Sequence, residues 1–173
     1  VLIVTRMLNA GDLLLGIVAL VGGVANGARL AGWRGLATRA SPIVFVLHVG
    51  YAWLVVGFFA LAITAFTDWL PEAAAMHALA TGGIGTMILA VMSRASLGHT
   101  GRPLTVPPLV ALSYWLVTAA AITRTFVPSL WPQGYYAAMI AAGILWMAAF
   151  ALFAIVYGPM LVTPRVRQRT APA

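Results

Sequence analysis

Five apolar runs, each about as long as a bilayer is thick, constrain this chain more than any other feature. A helix needs about 20 largely apolar residues to cross the hydrocarbon core. Runs of that order lie at roughly residues 11–30, 42–66, 72–94, 107–124 and 134–161. In hydrocarbon every backbone N–H and C=O must be paired inside the protein, which leaves helices or a closed barrel. The runs are continuous rather than alternating, and that selects helices. The sequence predicts an all-α, polytopic transmembrane helix bundle of five spans, forming a single domain over residues 1–173. Charged residues make up 8% of the chain, against about 25% in soluble domains, so a water-soluble enzyme is excluded.

The net charge of +7 comes from arginine, since lysine is absent. Arg29, Arg34 and Arg39 lie between runs one and two, and Arg94 and Arg102 between three and four. Arg165, Arg167 and Arg169 follow run five. Strict alternation of five crossings puts those three segments on one side. Arg6 and Arg124 fall toward the other, with all three acids, Asp12, Asp68 and Glu72. The positive-inside rule makes the arginine-rich side cytoplasmic, the C-terminus included. This is a topology signal, and it excludes nucleic acid as a partner. The partner it implies is the lipid bilayer.

Cysteine is absent, which excludes disulfides, iron–sulfur clusters and thiolate copper sites within the chain. The sequence carries no P-loop, paired carboxylates, HExxH or serine–histidine–acid set. Chemistry falls on three histidines. His77 lies in the third run, beside a stripe of small residues at Ala74, Ala78, Gly82 and Gly85. Either the stripe is a tight helix seam in which His77 bonds a neighbour, or His77 is a haem or copper ligand and the glycines make room for a flat macrocycle. His48 lies early in the second run with Tyr51 close to one turn on. The two are a packed pair, or a metal ligand with a supporting donor. His99 falls in a polar loop with Arg94 and Arg102. It is solvated there, or the three bind an anionic group such as a haem propionate or a lipid headgroup. Arg124 is a snorkelling anchor, a partner of Asp68 or Glu72, or a propionate clamp. The seven methionines are flexible filling first, although thioether can hold Cu(I).

The run HALATGGIGTMILAVMSRASLGHTGRPL, from His77 to Leu104, resembles the NnrS family of membrane proteins. So do RLAGWRG and LHVGYAW upstream and WMAAFALFAIVYGPMLVTPR downstream. The resemblance covers nearly the whole chain. It implies a bacterial inner-membrane protein of about a dozen spans, of which this chain is the C-terminal half. It also implies haem, of b type, and copper as cofactors, and a role in the response to nitric oxide or in denitrification-linked stress tolerance. Nitric oxide itself is then a candidate partner. The cofactor-binding candidates are His48, His77, Tyr51, His99 and Arg102, with His48 and His77 as metal ligands. The N-terminal half, which carries a histidine-rich helix in the family, is the expected source of further ligands. Turnover, sensing and metal delivery stay open. The competing readings are half of a transporter or channel, with His77 and the glycines along a path, and a structural membrane module without cofactor.

Topology adds one geometric expectation. His48 enters span two from the arginine-rich side, and His77 belongs to the next span, running the opposite way. At 1.5 Å per residue their depths differ by about 16 Å. Metal–histidine bonds are about 2 Å, so the two histidines are expected in separate sites.

Overall fold

The computed structural model describes residues 11–166; Arg6, Arg167 and Arg169 fall outside that range. Among the described residues five helices are long and apolar enough to cross a membrane. They are α1 (Asp12–Gly32), α2 (Pro42–Phe66), α3 (Glu72–His99), α4 (Pro108–Leu130) and α5 (Tyr135–Leu161). Pro42 and Pro108 occupy the first turns of α2 and α4, where a missing N–H costs nothing. No strand occurs among the described residues. The five-span, all-α fold is the one the sequence predicts.

Each helix packs on its sequence neighbour, and the C-terminal part of α3 also meets α5. Small residues let the helices approach closely, as expected where lipid removes the hydrophobic drive for association. Ala74, Ala75 and Ala78 of α3, Ala120 and Ala121 of α4, and Ala149 of α5 are all buried. Larger core residues close the arginine-rich half of the bundle: Ile43 and Val46 on α2, Leu89 on α3, Val110 on α4, and Phe153 and Tyr157 on α5. The outer faces stay apolar, with Leu13 and Val21 on α1 and Ile144 and Ile155 on α5 exposed. Helices apolar on every side belong in lipid.

Two boundaries differ from those expected. α3 continues past Arg94 to His99 because Ser96 and Leu97 are still buried. His99 therefore ends a helix rather than sitting in a loop. α4 runs on past Arg124 to Leu130, leaving that arginine inside the span, where it bonds His77. α5 ends at Leu161, where the sequence places its end, with Pro159 inside the last turn. The proline's missing N–H removes one i→i−4 bond, two residues before the helix stops.

α3 has an irregular middle. Glu72–His77 and Gly85–His99 are α-helical, and Ala78–Ile84 between them is π-helical. Such widened turns are uncommon and concentrate at functional sites. Here the π segment holds two of the three glycines of the cluster, Gly82 and Gly83.

Candidate functional site

His48 stands in a cleft between α2 and the turn that joins α1 to α2. Its Nδ1 lies 3.1 Å from the Val44 carbonyl oxygen one turn earlier. A carbonyl only accepts, so Nδ1 is the donor and Nε2 lies outside that bond. Gly35 packs against the imidazole so closely that an added Cβ would come within 2.8 Å of the ring. Trp33 stands edge-on to the ring at 6.1 Å between centroids. The cleft measures about 440 Å³, and its walls are mainly apolar, including Leu30, Leu36, Phe45 and Val49. Arg34 is the charged residue in that wall, held at φ 50°, an unusual backbone for a non-glycine residue.

Tyr51 does not pair with His48. Its hydroxyl donates to Asn26 Oδ1 at 2.6 Å, and Asn26 Nδ2 donates in turn to the Gly22 carbonyl at 2.8 Å. Trp33 links the two residues, since its ring lies 4.5 Å from that of Tyr51. The Arg29 guanidinium sits 5.5 Å from the Trp33 ring centroid, a cation–π contact that helps fix the indole. Tyr51 thus reaches His48 only through the Trp33 ring between them.

His77 has other surroundings. Arg124 Nε donates to His77 Nε2 at 3.2 Å, tying α3 to α4. The lone pair a metal would need is already used. The neighbouring glycines are not open either. The Trp53 ring fills the notch at Gly82, and the Trp146 ring fills the one at Gly85. The room expected for a macrocycle is taken by indoles from α2 and α5. In the packing of α2 on α3, Gly50 faces Met87 and Gly57 faces Leu79. That register separates His48 from His77 by roughly 17 Å along the helices at 1.5 Å per residue.

The SLGHTGRPL run does structural work. Gly101 has φ +73° and follows the Thr100 cap. Arg102 N–H bonds the Leu97 carbonyl at 2.9 Å, and Gly101 N–H bonds the Gly98 carbonyl at 3.2 Å. These two bonds are the Schellman stop of a helix. Val166 N–H then bonds the Thr100 carbonyl at 3.0 Å, and Arg102 Nη2 donates to Thr163 at 3.3 Å. The expected anion-binding trio is therefore divided. Arg102 pins the segment after α5, while Arg94 and His99 line a separate groove.

Among the described residues no three histidines or acids cluster to hold a metal. His48 fits one ligand position, its ring oriented by the Val44 carbonyl. Arg34 in the same wall suits a carboxylate. Three contributors, Asn26, Trp33 and Arg34, were not candidates in the sequence, and Arg124 was a candidate but not as the partner of His77. Asn26 had a signal, being the one amide inside an apolar run. The tertiary contacts of the other three had none.

Against known families, residues 1–165 match the one described as NnrS protein. No curated protein and no solved structure matches the chain. The family match spans both the His48 cleft and the α3 glycines, and the chain belongs to the NnrS family.

Proposed function

We propose that the chain forms part of a haem- and copper-binding inner-membrane protein that acts in the response to nitric oxide. It is the C-terminal half of a protein of about twelve spans, and histidines outside it complete the metal sites. The observation that carries this reading is the placement of His48, whose Nδ1 is held by the Val44 carbonyl while Nε2 lies outside that bond, in an apolar cleft. A transition metal held there would supply a redox-active centre in the phase where nitric oxide, small and apolar, accumulates. Residues of this chain do the remaining work. His48 binds, the Val44 carbonyl orients the ring, Trp33 walls it, and Arg34 balances a carboxylate at the cleft. His77 is assigned a second site toward the opposite face, reached when Arg124 yields its bond. The test is an absorption spectrum with metal analysis of the intact protein. A Soret band and stoichiometric copper are expected. Their absence from protein purified under haem- and copper-replete conditions would leave a transporter half or a structural module.

The orientation is proposed on the arginines. Arg29, Arg34, Arg39, Arg94, Arg102 and Arg165 share one end of the bundle, and Asp12, Asp68 and Glu72 lie toward the other. With the arginine-rich end cytoplasmic, an impermeant thiol reagent added to the periplasmic side should label cysteine placed at Trp69 or Trp131. It should miss Gly35 and His99. Periplasmic labelling at position 99 would reverse the assignment.

A further inference from the structure

Two cavities on the face shared by α2 and α3, of about 670 Å³ and 620 Å³, meet at Val91, which lines both. Together they form one groove. Its α2 wall presents Leu47, Gly50 and Leu54, and its α3 wall presents Gly83, Met87 and Val91. Those spacings follow one helical face on each side. Gly83 and Gly50 form the floor, with an added Cβ on Gly83 only 3.9 Å from the Gly50 carbonyl oxygen. The groove opens outward, as Ile84, Ile88 and Val91 are all exposed.

The groove is apolar along the bilayer and cationic at its mouth, where Arg94 and His99 stand. Among the described residues neither side chain has a hydrogen-bond or ion-pair partner in the protein. Arg102, Arg124 and Arg29 differ, being engaged by Thr163, His77 and Trp33. All three acids lie toward the opposite end of the bundle, so no carboxylate of the chain competes for the mouth. From Arg94 to Ile84 the groove runs about 15 Å at 1.5 Å per residue, one leaflet of a hydrocarbon core about 30 Å thick.

We infer that this groove holds one anionic phospholipid, its phosphate on Arg94 and His99 and an acyl chain along Val91, Met87 and Gly83. A guanidinium suits the phosphate, and the two methionines lining the groove, Met87 and Met92, adapt to a flexible chain. The inference is independent of any metal at His48, which lines a separate cleft beside α1.

The test is native mass spectrometry of the intact protein, titrated with phosphatidylglycerol and phosphatidylethanolamine of identical acyl chains. Phosphatidylglycerol should bind about fivefold more tightly, the preference that one or two interfacial basic residues supply. The Arg94→Gln/His99→Gln variant should lose that preference, and Arg94→Lys should keep most of it. Arg39→Gln, at the same end but outside the groove, should leave it unchanged. Gly83→Leu should weaken both lipids by narrowing the floor. Equal binding of the two lipids by the unaltered protein would overturn the proposal. So would equal preference in the Arg94→Gln/His99→Gln and Arg39→Gln variants. A cysteine at Ile88 that a lipid-dissolved reagent cannot reach would also overturn it, because protein would then cover the groove.

Discussion

Replacing His48 with alanine is expected to remove the metal or Soret signal assigned to the cleft, with affinity falling by about 100-fold or more. Loss of a residue that merely orients a ligand costs about 10- to 100-fold. A ligand itself should exceed that. Gly35→Val tests the same cleft without touching the ligand, because a side chain there would push on the imidazole. It should weaken the signal by about tenfold, within the range for a supporting residue. His77→Ala should leave the His48-dependent signal largely intact, since the two rings are held by different helices. The measurement is absorbance and metal content per protein, with secondary structure checked by circular dichroism. A full signal in His48→Ala would remove the cleft from the site. Equal loss in the His48 and His77 variants would mean one shared centre.

The second large effect concerns stability. Gly85 is buried under the Trp146 ring, and a side chain there would overlap the indole. Gly85→Leu is expected to destabilise the bundle by about 1–3 kcal/mol, the usual cost of overpacking a tight core. Trp146→Ala empties the same notch and should cost a similar amount or more, since large-to-small changes leave cavities. Combined, the two should cost less than their sum by about 1 kcal/mol or more, as contacting residues couple at 0.5–3 kcal/mol. Unfolding titrations in mixed detergent micelles would measure this. Strict additivity would show that Gly85 and Trp146 do not share one seam.

Much of the fold was legible because lipid leaves the chain few options. Continuous apolar runs, prolines at helix starts and arginines on alternate connections fix five spans, whatever the contacts between them. The site was less legible for a physical reason. A helical wheel places His77, Gly82 and Gly85 on one side of α3, but says nothing of what enters the notches. Trp53 and Trp146 belong to other helices, and only packing brings them there. The same limit applied to Arg124, which looked like an interfacial anchor and instead holds His77. The SLGHTGRPL run shows the converse. It carries the family resemblance, yet in the structure it stops a helix and fastens a tail.

The π-helical stretch Ala78–Ile84 gives α3 a property that a regular rod lacks. A widened turn accommodates extra chain without breaking the ladder, so the two ends of the span are set at independent azimuths. Glu72–His77 can face α4 through His77 while Gly85–His99 aims Leu89 at the core and Val91 at the groove. Each residue of an ordinary helix turns it by about 100°. Shortening the stretch by one residue would rewind it and swing the outer end through roughly that angle. His77 would then leave Arg124, while the glycine seam against Trp146 stayed in place. α3 is in effect two half-spans joined by a swivel, and the membrane interior is where their directions are reconciled.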